Sequence, residues 1–69
     1  MLMYTKKLAL ALIELLQAYR YNPDKQVYRL IKRLCKKLKV DIRRLKTYDY
    51  YRRLNIIEAL IREVEQQWK

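Results

Sequence analysis

The chain contains no glycine and a single proline, Pro23. Tight turns and β-hairpins depend on residues that tolerate positive φ or preset a bend, so a strand-rich fold has almost no means of reversing direction here. Leu, Lys, Arg, Glu, Gln and Ala dominate instead, and all are good helix formers. The expected fold is all-α, a single helical domain over residues 1–69 built as a small bundle of three long helices plus one short one. With 52% hydrophobic residues the chain is too apolar to stay disordered. A domain of this length buries only about 60% of its unfolded surface and is marginal alone. One cysteine, Cys35, and no histidine exclude an internal disulfide and a zinc site. Tight helical packing or self-association must supply the stability, and no cofactor or metal is expected.

Hydrophobic periodicity places the helices. From about Tyr4 to Arg20, the residues Leu8, Ala9, Leu12, Ile13, Leu15, Leu16 and Tyr19 share an arc about 160° wide. Leu10 lies on the opposite side with Lys7, Glu14 and Gln17. With Met3 and Ala18 it points to a two-fold homodimer face. Lys6-Lys7 before the run Leu8–Leu16 has the outline of a targeting segment. Glu14 interrupts that run, no small-residue cleavage site follows, and the run is too short to span a bilayer. A core helix is the expectation and, with the lone cysteine, a reducing cytoplasmic setting.

Tyr21-Asn22-Pro23-Asp24 marks the clearest boundary, with Asn22 as the expected cap and Pro23 as the first helical residue. The second helix should run from Pro23 to Leu38 on a stripe of Val27, Ile31, Leu34 and Leu38, flanked by Tyr28, Leu30 and Cys35. The loop before it is short, so it should pack antiparallel to the first. Val40-Asp41 breaks the pattern. Asp41 is placed to cap a short helix from Ile42 to Lys46, with Ile42 and Leu45 turned to the core. After a break near Thr47, a final helix from Tyr48 to Trp68 carries the stripe Tyr50, Leu54, Ile57, Ile61, Val64 and Trp68. Thr47 or Asp49 would cap it, and the pairs Glu58–Arg62 and Glu65–Lys69 would lace its surface.

The charge of the chain is confined to its middle. Residues 20–53 hold thirteen Lys or Arg against three Asp, and the flanks balance at four bases and four acids, so the full +10 lies on about half the chain. A single-sign field of that density opposes compaction and usually faces an anionic partner. The outer arc of the second helix carries Arg29, Lys32, Arg33, Lys36 and Lys37 beside Lys25, with no acid among them. Phosphate binding needs several cations on one face at backbone spacing, which this helix supplies. Arg43, Arg44, Arg52 and Arg53 add planar forks suited to phosphate or guanine, and Lys46 adds a point charge. Tyr48 and Tyr51 can stack on bases or donate to phosphates. Catalysis has little to stand on: the chain lacks His, Ser and Gly, and Cys35 lies on an apolar face with no base beside it.

The segment Leu30–Leu54 resembles a helix-turn-helix, with Lys39-Val40-Asp41 as the turn and Ile42 onward as the reading helix. Lys39 stands where that motif usually has a Gly-like residue. The leading expectation is a small non-enzymatic nucleic-acid-binding protein, DNA favoured over RNA. The alternative is a helical adaptor or assembly subunit docking on an acidic protein surface. Membrane-surface anchoring is the weakest reading, because the second helix has a narrow apolar stripe without Trp or Phe and a ready partner in the first.

Overall fold

The computed structural model describes residues 3–67, with side chains from Thr5 onward. It contains three helices, α1 (Met3–Tyr21), α2 (Lys25–Leu38) and α3 (Tyr50–Gln66), and no strand among the described residues. The fold is all-α. The short helix expected over Ile42–Lys46 does not form, and residues 40–49 run as turns and irregular chain. Two local choices prevent it. Asp41 accepts the Arg43 N–H through Oδ1 at 3.0 Å, and Arg43 takes a left-handed backbone at φ 57°. A side chain that takes a backbone N–H offers the chain a turn in place of a helix. Five residues bounded by such a turn cannot offset the cost of nucleation. The helix-turn-helix resemblance therefore fails, since no reading helix follows the turn.

The turn itself is well made. Val40 N–H donates to the Cys35 carbonyl at 2.8 Å, and Lys39 N–H to the Lys36 carbonyl at 3.3 Å. This is a Schellman ending, and Lys39 fills its left-handed position at φ 58°, where glycine is the usual occupant. The start of α2 also differs from expectation. Asp24, not Asn22, is the cap, and its Oδ1 accepts the Gln26 N–H at 2.6 Å. Asn22 still closes α1, its N–H donating to the Ala18 carbonyl at 3.0 Å, and Asp24 has the extended backbone (φ −80°, ψ 140°) that a cap requires. At α3 the cap is Asp49, whose Oδ1 accepts from Arg52 N–H at 3.2 Å. Thr47 does not cap the helix: its Oγ1 accepts from the N–H of Asp49 itself at 3.2 Å and holds the capping residue in place.

α1 packs against both other helices. The three residues between α1 and α2 force those two to lie antiparallel. α2 and α3 point the same way. Near their C-terminal ends, Gln67 Nε2 donates to the Leu38 carbonyl at 3.1 Å. Near their N-terminal ends, Lys25 and Arg53 line one cleft. The connection 39–49 must return along the bundle between them. Leu45 is fully buried and pins it to the core, with Val40 and Ile42 packed alongside. Arg43 fastens it to α3 through a bidentate pair, Nη2 to Glu63 Oε1 at 2.8 Å and Nη1 to Oε2 at 3.0 Å. This is the only ion pair among the described residues, so the expected Glu58–Arg62 pair does not form. The Glu65–Lys69 pair and Trp68 lie outside the described residues.

The core consists of Ala9, Leu12, Leu16 and Tyr19 from α1, Ile31, Cys35 and Leu38 from α2, Leu45, and Ile57, Leu60 and Val64 from α3. Leu8, Leu15, Val27, Leu34, Ile42 and Ile61, expected inside, are partly buried at its edge. The buried stripe of α3 is Arg53, Ile57, Leu60 and Val64. Of the expected stripe, Ile57 and Val64 are buried, Leu54 and Ile61 are half-buried and Tyr50 is exposed, so the buried face is turned toward Arg53 and Leu60. On α1, Leu10 and Ala18 are exposed, and the side chain of Met3 lies outside the described residues. Burying a Leu yields about 1.5–3 kcal/mol, so Leu10 alone does not hold a dimer together. No helix among the described residues is long and apolar enough to cross a membrane.

Candidate nucleic-acid interface

The outer face of α2 is a one-sided cationic surface. Arg29, Lys32, Arg33, Lys36 and Lys37 are all exposed, as is Lys25 at the start of the helix. None of them reaches a carboxylate among the described residues. The opposite face carries Ile31, Cys35 and Leu38 into the core, so the helix cannot rotate to hide its charge. Cys35 is sealed on that inner face. Burial first, then the negative charges of Asp41 and Glu63, push its thiol up to about 11. A thiol so suppressed at neutral pH is an inert core residue.

The other sequence-predicted residues divide. Arg44, Lys46, Tyr48, Tyr51 and Arg52 are exposed and open to a ligand. Arg43 is exposed but not free to take a ligand, because both arms of its fork are held by Glu63. Arg53 is also corrected. It is nine-tenths buried, its Nη1 donates to the Thr47 carbonyl at 3.2 Å, and its guanidinium carbon lies 5.5 Å from the Tyr50 ring centre. Arg53 is thus an inward residue rather than a surface fork paired with Arg52.

One end of the basic face opens into a cleft of about 610 Å³. Arg53 reaches it from the first turns of α3. Tyr19 closes it from the end of α1, and Tyr28, Arg29 and Lys32 line it from α2. Lys46, Thr47 and Tyr48 contribute from the connection. The rings of Tyr19 and Tyr28 meet at 6.0 Å with a 42° tilt, and Lys46 Nζ lies 5.9 Å from the Tyr28 ring centre. Burial pushes the Tyr19 hydroxyl above its ordinary value, the Arg53 charge pulls against that, and Tyr28 adds to the rise. Tyr48 is fully exposed at the rim. The sequence places Tyr19 in the core and Tyr28 at its flank, and does not show that the two rings meet at one cleft. The available signal was their position on either side of the proline loop, which brings both rings to one end of a helical hairpin.

No protein-family model, no curated protein and no solved structure matches the chain.

Proposed function

We propose that this protein binds nucleic acid through its backbone phosphates, using the outer face of α2 together with Arg44, Lys46, Tyr48, Tyr51 and Arg52. The observation that carries the reading is the set of exposed cations on α2, unpaired with any carboxylate among the described residues. Such a surface has no internal ion pairs to break before it meets phosphates, and it gains entropy by releasing their condensed counterions. The tyrosines add stacking that tolerates any base. DNA remains favoured over RNA, but without a reading helix after Lys39 recognition rests on backbone charge and stacking rather than on base edges in a groove.

Five or six simultaneous phosphate contacts predict a log–log slope of affinity against salt of about −4 to −5 on duplex DNA. Fluorescence anisotropy with duplex DNA, single-stranded DNA and RNA across a salt series measures it. Affinity that stays flat with salt on every strand would rule the mechanism out. Binding confined to an acidic protein would point to the adaptor instead.

A further inference from the structure

The cleft beside the basic face is more than an extension of it. Arg53 presents a charge that is nine-tenths buried and makes no ion pair among the described residues. Its Nε is buried and has no hydrogen-bond partner among them. A buried cation with an unsatisfied donor is costly unless an anion completes it. The surroundings suit an anion. Lys25, Arg29, Lys32 and Lys46 stand around the opening, and no acid lines it among the described residues. Both α2 and α3 begin at this end of the bundle, but the Asp24 and Asp49 carboxylates already cap them, so the side-chain cations rather than the helix dipoles supply the field.

Size and lining narrow the choice. The volume falls inside the roughly 300–1,000 Å³ range of small-molecule sites and exceeds what a bare phosphate would fill. Tyr19 and Tyr28 give aromatic walls, and Tyr48 at the rim has a ring with nothing packed on it. A charged floor under aromatic walls matches a ligand with a phosphate at one end and a flat ring system at the other. A phosphomonoester carries about −1.5 to −2 charges at neutral pH and three acceptor oxygens, more than an internal diester can offer to a recess.

We infer that this cleft is a binding site for a nucleoside phosphomonoester, with the phosphate seated on Arg53 and the base against the tyrosines. The inference deepens the nucleic-acid reading: the same chemistry occurs at the phosphorylated end of a strand and in a free nucleotide. End capture would let the outer face of α2 hold the strand while the cleft holds its terminus.

The test compares a short single strand bearing a 5′-phosphate with the same strand bearing a 5′-hydroxyl, and adenosine monophosphate with adenosine. Charge-assisted hydrogen bonds to the phosphate predict about a tenfold or greater preference for the phosphorylated member of each pair. In Arg53→Gln the preference should vanish while affinity for the hydroxyl strand stays within about twofold, since α2 is untouched. Should that variant unfold, the wild-type protein still answers: the Arg53 Nε–H resonance should shift on titration with adenosine monophosphate. Binding of the free nucleotide without binding of any strand would keep the cleft and discard the nucleic-acid reading. Equal affinity for phosphorylated and hydroxyl ligands, with the Arg53 signal unmoved, would overturn the site itself.

Discussion

α2 and α3 play the same part in the bundle and carry opposite kinds of surface. Both pack on α1, and both point the same way. Yet α2 holds six Lys or Arg and no acid, whereas α3 balances Arg52, Arg53 and Arg62 against Glu58, Glu63 and Glu65. α3 shows that a helix can take this role with a neutral exterior. The packing role therefore does not require the charge on α2, which by self-repulsion works against compaction. The proposed anionic partner would give that charge a use.

The sharpest way to break the comparison is to reverse charge on each side. Lys32→Glu with Lys36→Glu removes four units of charge from the α2 face. At about 1 kcal/mol per unit this predicts roughly a 1,000-fold loss of strand affinity at low salt, with helicity by circular dichroism unchanged. Lys7→Glu with Arg62→Glu makes the same change in net charge away from that face and should cost about threefold or less. Equal losses would mean that total charge matters and the face does not.

The next largest effect concerns how the two helices are held parallel. Leu45 is the buried anchor of the connection between them. Leu45→Ala should lower unfolding free energy by about 3 kcal/mol in a denaturant titration. Arg43→Ala removes a pair that is more than a third exposed and should cost less than about 1 kcal/mol. If the order were reversed, the ion pair rather than the leucine would hold the connection.

A smaller effect distinguishes the inner face of α2 from its outer one. The Cys35 thiol is raised in the folded protein to about 11, so the fold favours its neutral form. That contribution is fully present below the ordinary thiol value of about 8.5 and is lost as pH rises toward 11. Wild-type stability should fall between about pH 8.5 and 11 more steeply than that of Cys35→Ala, measured by thermal unfolding. The smallest expected change is a gain. Lys39→Gly relieves the left-handed backbone at the end of α2 and should stabilise by up to about 1 kcal/mol, read as a higher denaturation midpoint.

The helices were legible because their apolar residues recur at helical spacing over many turns, and the cationic arc of α2 was legible for the same reason. The chain between α2 and α3 was not. Nothing in Ile42–Lys46 announces that Asp41 will take the Arg43 N–H, since an Asp before an apolar residue is equally a helix cap. Arg53 was misjudged through pairing it with Arg52. Its spacing to Ile57, Leu60 and Val64 is four, then three, then four, which continues the buried stripe by one turn. An arginine in an apolar register was the readable signal of an inward charge. Arg43 had no such signal, because its partner Glu63 lies twenty residues away.

The return path of the connection has a consequence for how the molecule assembles. α1 and α2 are joined by three residues and can form a hairpin from neighbouring chain alone. α3 is different: its clasp to the connection and the bond from Gln67 to Leu38 both close long loops. Contacts that distant in sequence are slow to form, because the chain must surrender its freedom before they reward it. Loop length therefore favours the basic hairpin forming before α3 docks. The cleft needs Arg53 from α3 against Tyr28 from α2, so it cannot exist until α3 is in place.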